Sequence, residues 1–355
     1  MERRACHWRQ PDPGTRDPEP HMSPRRSFQA GFSLIELMIS LVLGLLVIAA
    51  AGGIFLSNKR VYGSTEAINR IQENQRAAFE MLSRDLREAG SNPCTRFNAA
   101  NGPINLLSDR SAPEWANFQM GLTGTESGAS DSVIVYFANG RSRITGHANP
   151  TADLTVSSTA GLANGQTLMA CNADTAILFS ATKITSGGTV VGHDGAANCG
   201  QGFTRNPDYT KCSSTLAGTV GYCFRSVDQT TCGASAERGR SPAMVVTPAS
   251  IRWFVADNTR GGSSLYRTIN GVTSEIAEGV GNLQLSYKIG NSTAFVDANN
   301  VPAGQWVLVT AVRVAMTVTA MQGAQSSSDI RGTGNQALSR SMVDVVALRN
   351  HLDIQ

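Results

Sequence analysis

From Leu34 to Leu56 the chain is almost wholly apolar, LIELMISLVLGLLVIAAAGGIFL, and Glu36 is its single charge. A helix rises about 1.5 Å per residue, so this run spans about 34 Å, enough to cross a hydrocarbon core of about 30 Å. The pattern then becomes amphipathic. Between Lys59 and Ala89 there is no Pro, and Val61, Ile68, Ile71, Ala78, Leu82, Leu86 and Ala89 recur at spacings of three, four and seven. That stripe predicts that the helix continues and lays one face on a sheet. Arg70, Glu73, Arg76, Glu80, Arg84, Arg87 and Glu88 fall on its other faces as a solvated surface. Gly90 reads as the stop, with Pro93 soon after. One continuous helix over 32–89 is expected, about 87 Å long at the same rise.

Beyond Ser91 the chain turns to Gly, Ser, Thr, Asn and Ala with short alternating or β-branched runs. These predict strands at 132–138, 167–171, 176–184, 243–247, 251–256, 264–269, 283–289 and 307–319. Asn270-Gly271 is a two-residue turn signal joining Leu265–Ile269 to Val272–Ile276 as a hairpin. The fold class expected is α+β: a long N-terminal helix, membrane half then amphipathic half, packed on an antiparallel β-rich domain.

Composition narrows the function. The formal charge is +3, and residues 57–355 carry 24 Lys and Arg against 22 Asp and Glu. That is too weak a basic excess for nucleic-acid binding. A charged fraction of 16% is wrong for a disordered or coiled-coil chain. The apolar run is too long for a cleaved secretory signal, and Ala49–Gly53 leads into further apolar residues rather than a cleavage site. A carboxylate inside a membrane helix is expensive, which makes Glu36 a functional residue in want of a partner. Arg25 and Arg26 before the run place the remainder on the exported side.

Gly31-Phe32-Ser33-Leu34-Ile35-Glu36, behind this basic leader and ahead of the apolar run, resembles the processing motif of prepilins, the class III-type leader of type IV pilins and type II secretion pseudopilins. The resemblance implies cleavage after Gly31 by a membrane prepilin peptidase and N-methylation of Phe32, with the helix retained. It also implies that Glu36 pairs with a neighbouring subunit's N-terminus during assembly. Glu36 lies one helical turn from Phe32, on the same face. Met22 then reads as the start, residues 22–31 as the leader, and 1–21 as an upstream extension from a misassigned start.

Further blocks are similar to the minor pilin family PilW: Met81–Gly90, Leu265-Tyr266-Arg267, Ile276–Tyr287, Trp306 leading into Ala311–Val314, and the close Val343–Asn350. Domains follow as 32–56 transmembrane, 57–90 amphipathic helix and 91–355 periplasmic β-rich domain. Residues 140–242, poorly matched, form an insertion.

Seven Cys are present. Cys6 falls in the segment lost on processing. Cys94, Cys171, Cys199, Cys212, Cys223 and Cys232 lie beyond the membrane helix, where an oxidising periplasm permits disulfides. Six cysteines allow fifteen pairings; the expectation is that Cys199–Cys232 staple an insertion too poor in apolar residues to hold itself. No C-x-x-C occurs, and His147 and His193 lack ligand-like spacing, so neither metal nor cofactor is expected. G-x-S-x-G, P-loop and H-E-x-x-H motifs are absent. Gly332–Ala337 has no room for the βαβ unit of a dinucleotide site. Asp297-Ala-Asn299-Asn300 lacks the Gly and Glu of a calcium loop. His351 has no evident partner.

The resemblance therefore implies a non-enzymatic minor pilin, anchored in a bacterial inner membrane with a periplasmic domain and later carried to the pilus tip, that primes assembly. Its implied partners are prepilin peptidase, other minor pilins, the major pilin, the inner-membrane assembly platform and a large adhesin-like tip protein. The alternatives are a J-type pseudopilin of type II secretion, or a secreted hydrolase or binding module on a membrane anchor.

Overall fold

A computed structural model describes residues 32–94, 103–109, 115, 117–199, 202–204, 221–225, 232, 237–239, 242–320 and 337–351. The chain divides into two compact units, Met1–Asn58 and Lys59–Gln355. Helix α1 spans Leu34–Glu88, 55 residues.

In the first unit the helix buries nothing. Phe32, Leu34, Leu46, Ile48 and Phe55 are each more than 60% exposed. Such an apolar surface demands a cover, because apolar area left in water is unfavourable by about 25 cal/mol per Å².

In the second unit the helix lies on the sheets. Ile71, Ala78, Leu82, Leu86 and Ala89 are buried as the stripe predicts, but Val61 and Ile68 are exposed; the sheets cover the stripe only from Ile71 onward. Three exposed i,i+4 pairs line the outside, Arg70–Glu66, Arg76–Glu80 and Arg84–Glu88. Gly90 ends the helix at φ 69°, a conformation that favours glycine.

The strands in chain order are β1 (Ile104–Asn105), β2 (Leu122–Thr125), β3 (Ser132–Gly146), β4 (Leu154–Val156), β5 (Thr167–Cys171), β6 (Ala176–Ser180), β7 (Lys183–Ile184), β8 (Val190–Gly192), β9 (Tyr222–Cys223), β10 (Glu237–Arg238), β11 (Met244–Asp257), β12 (Ser263–Ile269), β13 (Val272–Glu278), β14 (Val280–Ile289), β15 (Phe295–Asp297), β16 (Val309–Thr319) and β17 (Ser339–Ala347). Eleven build one sheet along the path β1-β6-β5-β11-β3-β4-β8-β7, with β12 and β13 continuing from β11 and β2 beside β3. A second sheet runs β15-β14-β16-β17, all antiparallel. β9 and β10 form a short parallel pair.

The long strands β3 and β11 run through three cores, the smallest of which holds Tyr136, Ala138 and Val246 with Phe118, Met169 and Leu178. Val133, Val135, Ile251 and Trp253 join the helix and the four-stranded sheet in the first. Ile144 and Val245 enter a second, with Leu168, Ile177, Phe179, Phe203, Tyr222 and Phe224. This second core corrects the expectation of an insertion unable to hold itself: aromatic residues scattered among polar loops converge there.

Three strand expectations change. Residues 243–247 and 251–256 are parts of one strand, β11, which passes through Pro248. There β11 pairs with β3 on one side, while β5 pairs only 244–246 and β12 only 251–257 on the other. Pro248 thus sits where a missing N–H costs no ladder bond, beside a bulge. The run 176–184 breaks into β6 and β7, and Trp306–Leu308 forms a 3-10 turn ahead of β16. The hairpin turn holds as expected, with Asn270 at φ 46° and Gly271 at φ 88°, both in the region a two-residue hairpin turn requires.

Candidate assembly site and its support

Phe32 and Ser33 precede α1, and Phe32 is 84% exposed. The Ser33 carbonyl accepts from the N–H groups of Glu36 and Leu37 at 3.0 and 3.1 Å, which starts the helical ladder. Glu36 stands in the first turn, where the helix dipole favours an acid. Gly31 lies outside the described residues. The segment read as a processing site thus leads through two non-helical residues into an uncovered apolar helix carrying one carboxylate.

Within the second unit, one tie between residues 59–88 of α1 and the strands, not read from the sequence, is made by Asp85. Asp85 is 4% exposed. Its Oδ2 accepts from Trp253 Nε1 at 2.8 Å and from Arg267 Nε at 2.7 Å, and its Oδ1 accepts from Arg267 Nη2 at 2.9 Å. Trp253 and Arg267 are register partners on β11 and β12. One helix carboxylate therefore binds two neighbouring strands, bidentate to the guanidinium. The signal was present: Asp85 stands among Leu82, Leu86 and Ala89 on the buried stripe, away from the other charges.

The helix C-terminus has a second tie. Asn350 Nδ2 donates to the Ala89 carbonyl at 3.1 Å, one of the carbonyls a helix end leaves unpaired. His351, expected to lack a partner, packs over two glycines. A Cβ on Gly90 would fall 2.8 Å from His351 Nε2, and one on Gly121 would overlap it. Burial lowers the His351 pKa to about 4.

The cysteines follow their own logic. Cys94 bonds to Cys171 and Cys223 to Cys232. Cys199 is also disulfide-bonded. Cys223–Cys232 lies within the insertion, whereas Cys94–Cys171 ties the segment after α1 to β5.

His147 and His193, distant in sequence, come within 5.9 Å by ring centroids. Both sit in the aromatic core, where His193 stacks on Phe203 at 4.0 Å. His147 Nδ1 accepts from the Phe224 N–H at 3.1 Å, and His193 Nε2 lies 2.8 Å from the Ala152 carbonyl. His147 is pushed down to about 3, by burial first and the neighbouring His193 second; burial lowers His193 as well. Both are thereby held neutral. Among the described residues no three His, Cys, Asp or Glu group as a metal site. Asp297 to Asn300 form a strand end and a 3-10 turn, and Gly332–Gln336 lie outside the described residues.

Two family models match the chain. Residues 26–52 match the prokaryotic N-terminal methylation motif, and residues 252–350 match type IV pilus-assembly protein W. The first covers residues 26–33 and the start of α1. The second covers β12 to β17 and includes Trp253, Arg267 and Asn350. Among solved structures, a type IV-like pilin from Thermus thermophilus aligns over 80% of this chain and 98% of its own at 10% identity, with a TM-score of 0.29. A superposition that loose carries no information on this fold. No curated protein sequence gives a significant match.

Proposed function

We propose that the chain is a type IV minor pilin. It is made as a prepilin, cut after Gly31 and methylated on Phe32, and held in the inner membrane by residues 32–56 with its β-rich unit in the periplasm. There it joins other minor pilins to prime growth of the pilus and travels at its tip. The observation that carries this reading is the conjunction of two matches: the methylation motif lies over the start of the uncovered apolar helix, and the pilus-assembly match lies over strands of the second unit.

The chemistry is consistent with such a role. Cleavage creates an amine at Phe32, and a carboxylate in an apolar medium is stabilised by a cation close to it. Glu36 of one subunit meeting the new amine of another would draw helices into register. The chain then acts by assembly rather than by catalysis. The pilus-assembly match favours a pilus over a type II secretion pseudopilus. The test is Glu36→Ala as the sole copy. Membrane insertion is expected to persist while surface pili fall; wild-type pilus numbers would refute the counter-charge role.

A further inference from the structure

Strand β17 ends the four-stranded sheet, and its outer edge is unpaired among the described residues. It pairs with β16 over nine consecutive residues without a bulge, and its sequence, SRSMVDVVA, has no Pro, Gly or Lys. Proteins ordinarily blunt such edges, because a regular row of free N–H and C=O groups templates another strand. On the eleven-stranded sheet, by contrast, the edge strand β13 is guarded: Glu275 and Glu278 both pair with Arg260. β17 carries Arg340 and Asp344 without an ion pair among the described residues, of its N–H groups only that of Val345 is taken outside the ladder, by the Asp344 carboxylate, and Val343 and Val345 are 65% and 48% exposed.

The space beside β17 is also unfinished. A groove of about 520 Å³ runs between α1 and this strand, lined by Gln72, Arg76, Phe79, Glu80, Arg340 and Met342. Phe79 and Met342 are only partly buried against the main core. The sheet thus stops one strand short of covering this side of the helix. Of the groove's two arginines, Arg76 is held by Glu80 at 2.8 Å. Arg340 has no carboxylate partner among the described residues. Farther along, the Asp344 carboxylate accepts from the Val345 N–H at 2.7 Å.

Only an extended backbone can satisfy an edge of this kind. We propose that β17 accepts one further strand from another polypeptide. That segment alternates apolar and polar side chains. On the face that Arg340, Met342 and Asp344 share, an apolar side chain covers Phe79 and Met342, flanked by a carboxylate that meets Arg340 and, four residues away, a basic side chain that meets Asp344. The inference rests on β17 and its groove and stands whether or not the chain works in a pilus.

The test uses the full chain in detergent micelles. The probe is a fluorescein-labelled peptide of β17's length, alternating Val and Thr, with one Asp and one Lys four residues apart. Saturable binding by fluorescence polarisation is expected. Arg340→Glu, an exposed substitution, should weaken it by about tenfold or more, the scale of one lost charge-assisted pair. The same peptide N-methylated on alternate amides should not bind, since it cannot complete the ladder. No binding up to about 1 mM, a very weak affinity, would overturn the proposal. So would equal binding of the N-methylated peptide. A concentration-dependent dimer abolished by Val343→Glu would also overturn it, by making a second copy the occupant.

Discussion

Asp85 is the most exposed point of the account to experiment, because one carboxylate serves two strands. Asp85→Ala removes the acceptor of Trp253 Nε1–H and both partners of the Arg267 guanidinium. Trp253 is fully buried, and a buried donor left unpaired costs about 1–3 kcal/mol. Breaking a buried ion pair by removing one partner costs about 3–5 kcal/mol. The Arg267 side chain keeps 21% exposure, so water partly relieves its charge and the lower end applies. The expected loss is about 3 kcal/mol. Trp253 fluorescence during urea unfolding of the detergent-solubilised chain reports it; with a slope of about 3 kcal/mol/M the midpoint should fall by about 1 M. Asp85→Leu with Arg267→Met should recover much of the loss, since well-packed apolar residues often replace a buried pair at no cost. A midpoint shift below about 0.2 M for Asp85→Ala, near the uncertainty of such measurements, would refute the reasoning.

Acid should destabilise the β-rich unit. His147 titrates in the fold near 3 and in the unfolded chain near 6.5, so below about pH 6.5 the unfolded state takes up a proton that the fold refuses. Stability therefore falls with pH until the folded value is reached, by about 1.4 kcal/mol per pH unit for this group, or about 2 kcal/mol at pH 5. His193 and His351 shift in the same direction and add to it, and urea midpoints at pH 7 and pH 5 measure the sum. Replacing Cys94 and Cys171 by Ser opens a loop with a sequence separation of 77 and should cost about 2–4 kcal/mol, seen as faster proteolysis of the insertion. Non-reducing mass spectrometry should find no free thiol among Cys94, Cys171, Cys199, Cys212, Cys223 and Cys232; several free thiols would contradict the periplasmic reading.

Local signals in the sequence were enough for the helix, its stop at Gly90, the Asn270-Gly271 turn, β16 and the β-branched first half of β3, while the continuation of β3 to Gly146 was not expected. They fail where the outcome depends on neighbours. Pro248 argues against a strand until β5 and β12 are known to leave a gap beside it. Val61 and Ile68 belong to the stripe by spacing, and only the reach of the sheets excludes them. The position of Asp85 on the buried stripe is local, but the partners that take its charge, Trp253 and Arg267, come from more than 160 positions away. β17, short of alternation, is visible only through its pairing with β16. The motif around Gly31, Phe32 and Glu36 is local in the sequence, whereas the partners of Asp85 are not.

The central claim is that the apolar helix is kept and begins at Phe32. Intact mass and N-terminal fragmentation of the chain purified from membranes test it directly. A protein beginning with N-methylated Phe32 is predicted. A chain that still carries Gly31, or one that begins after Ala51 with its apolar run removed, would contradict the account.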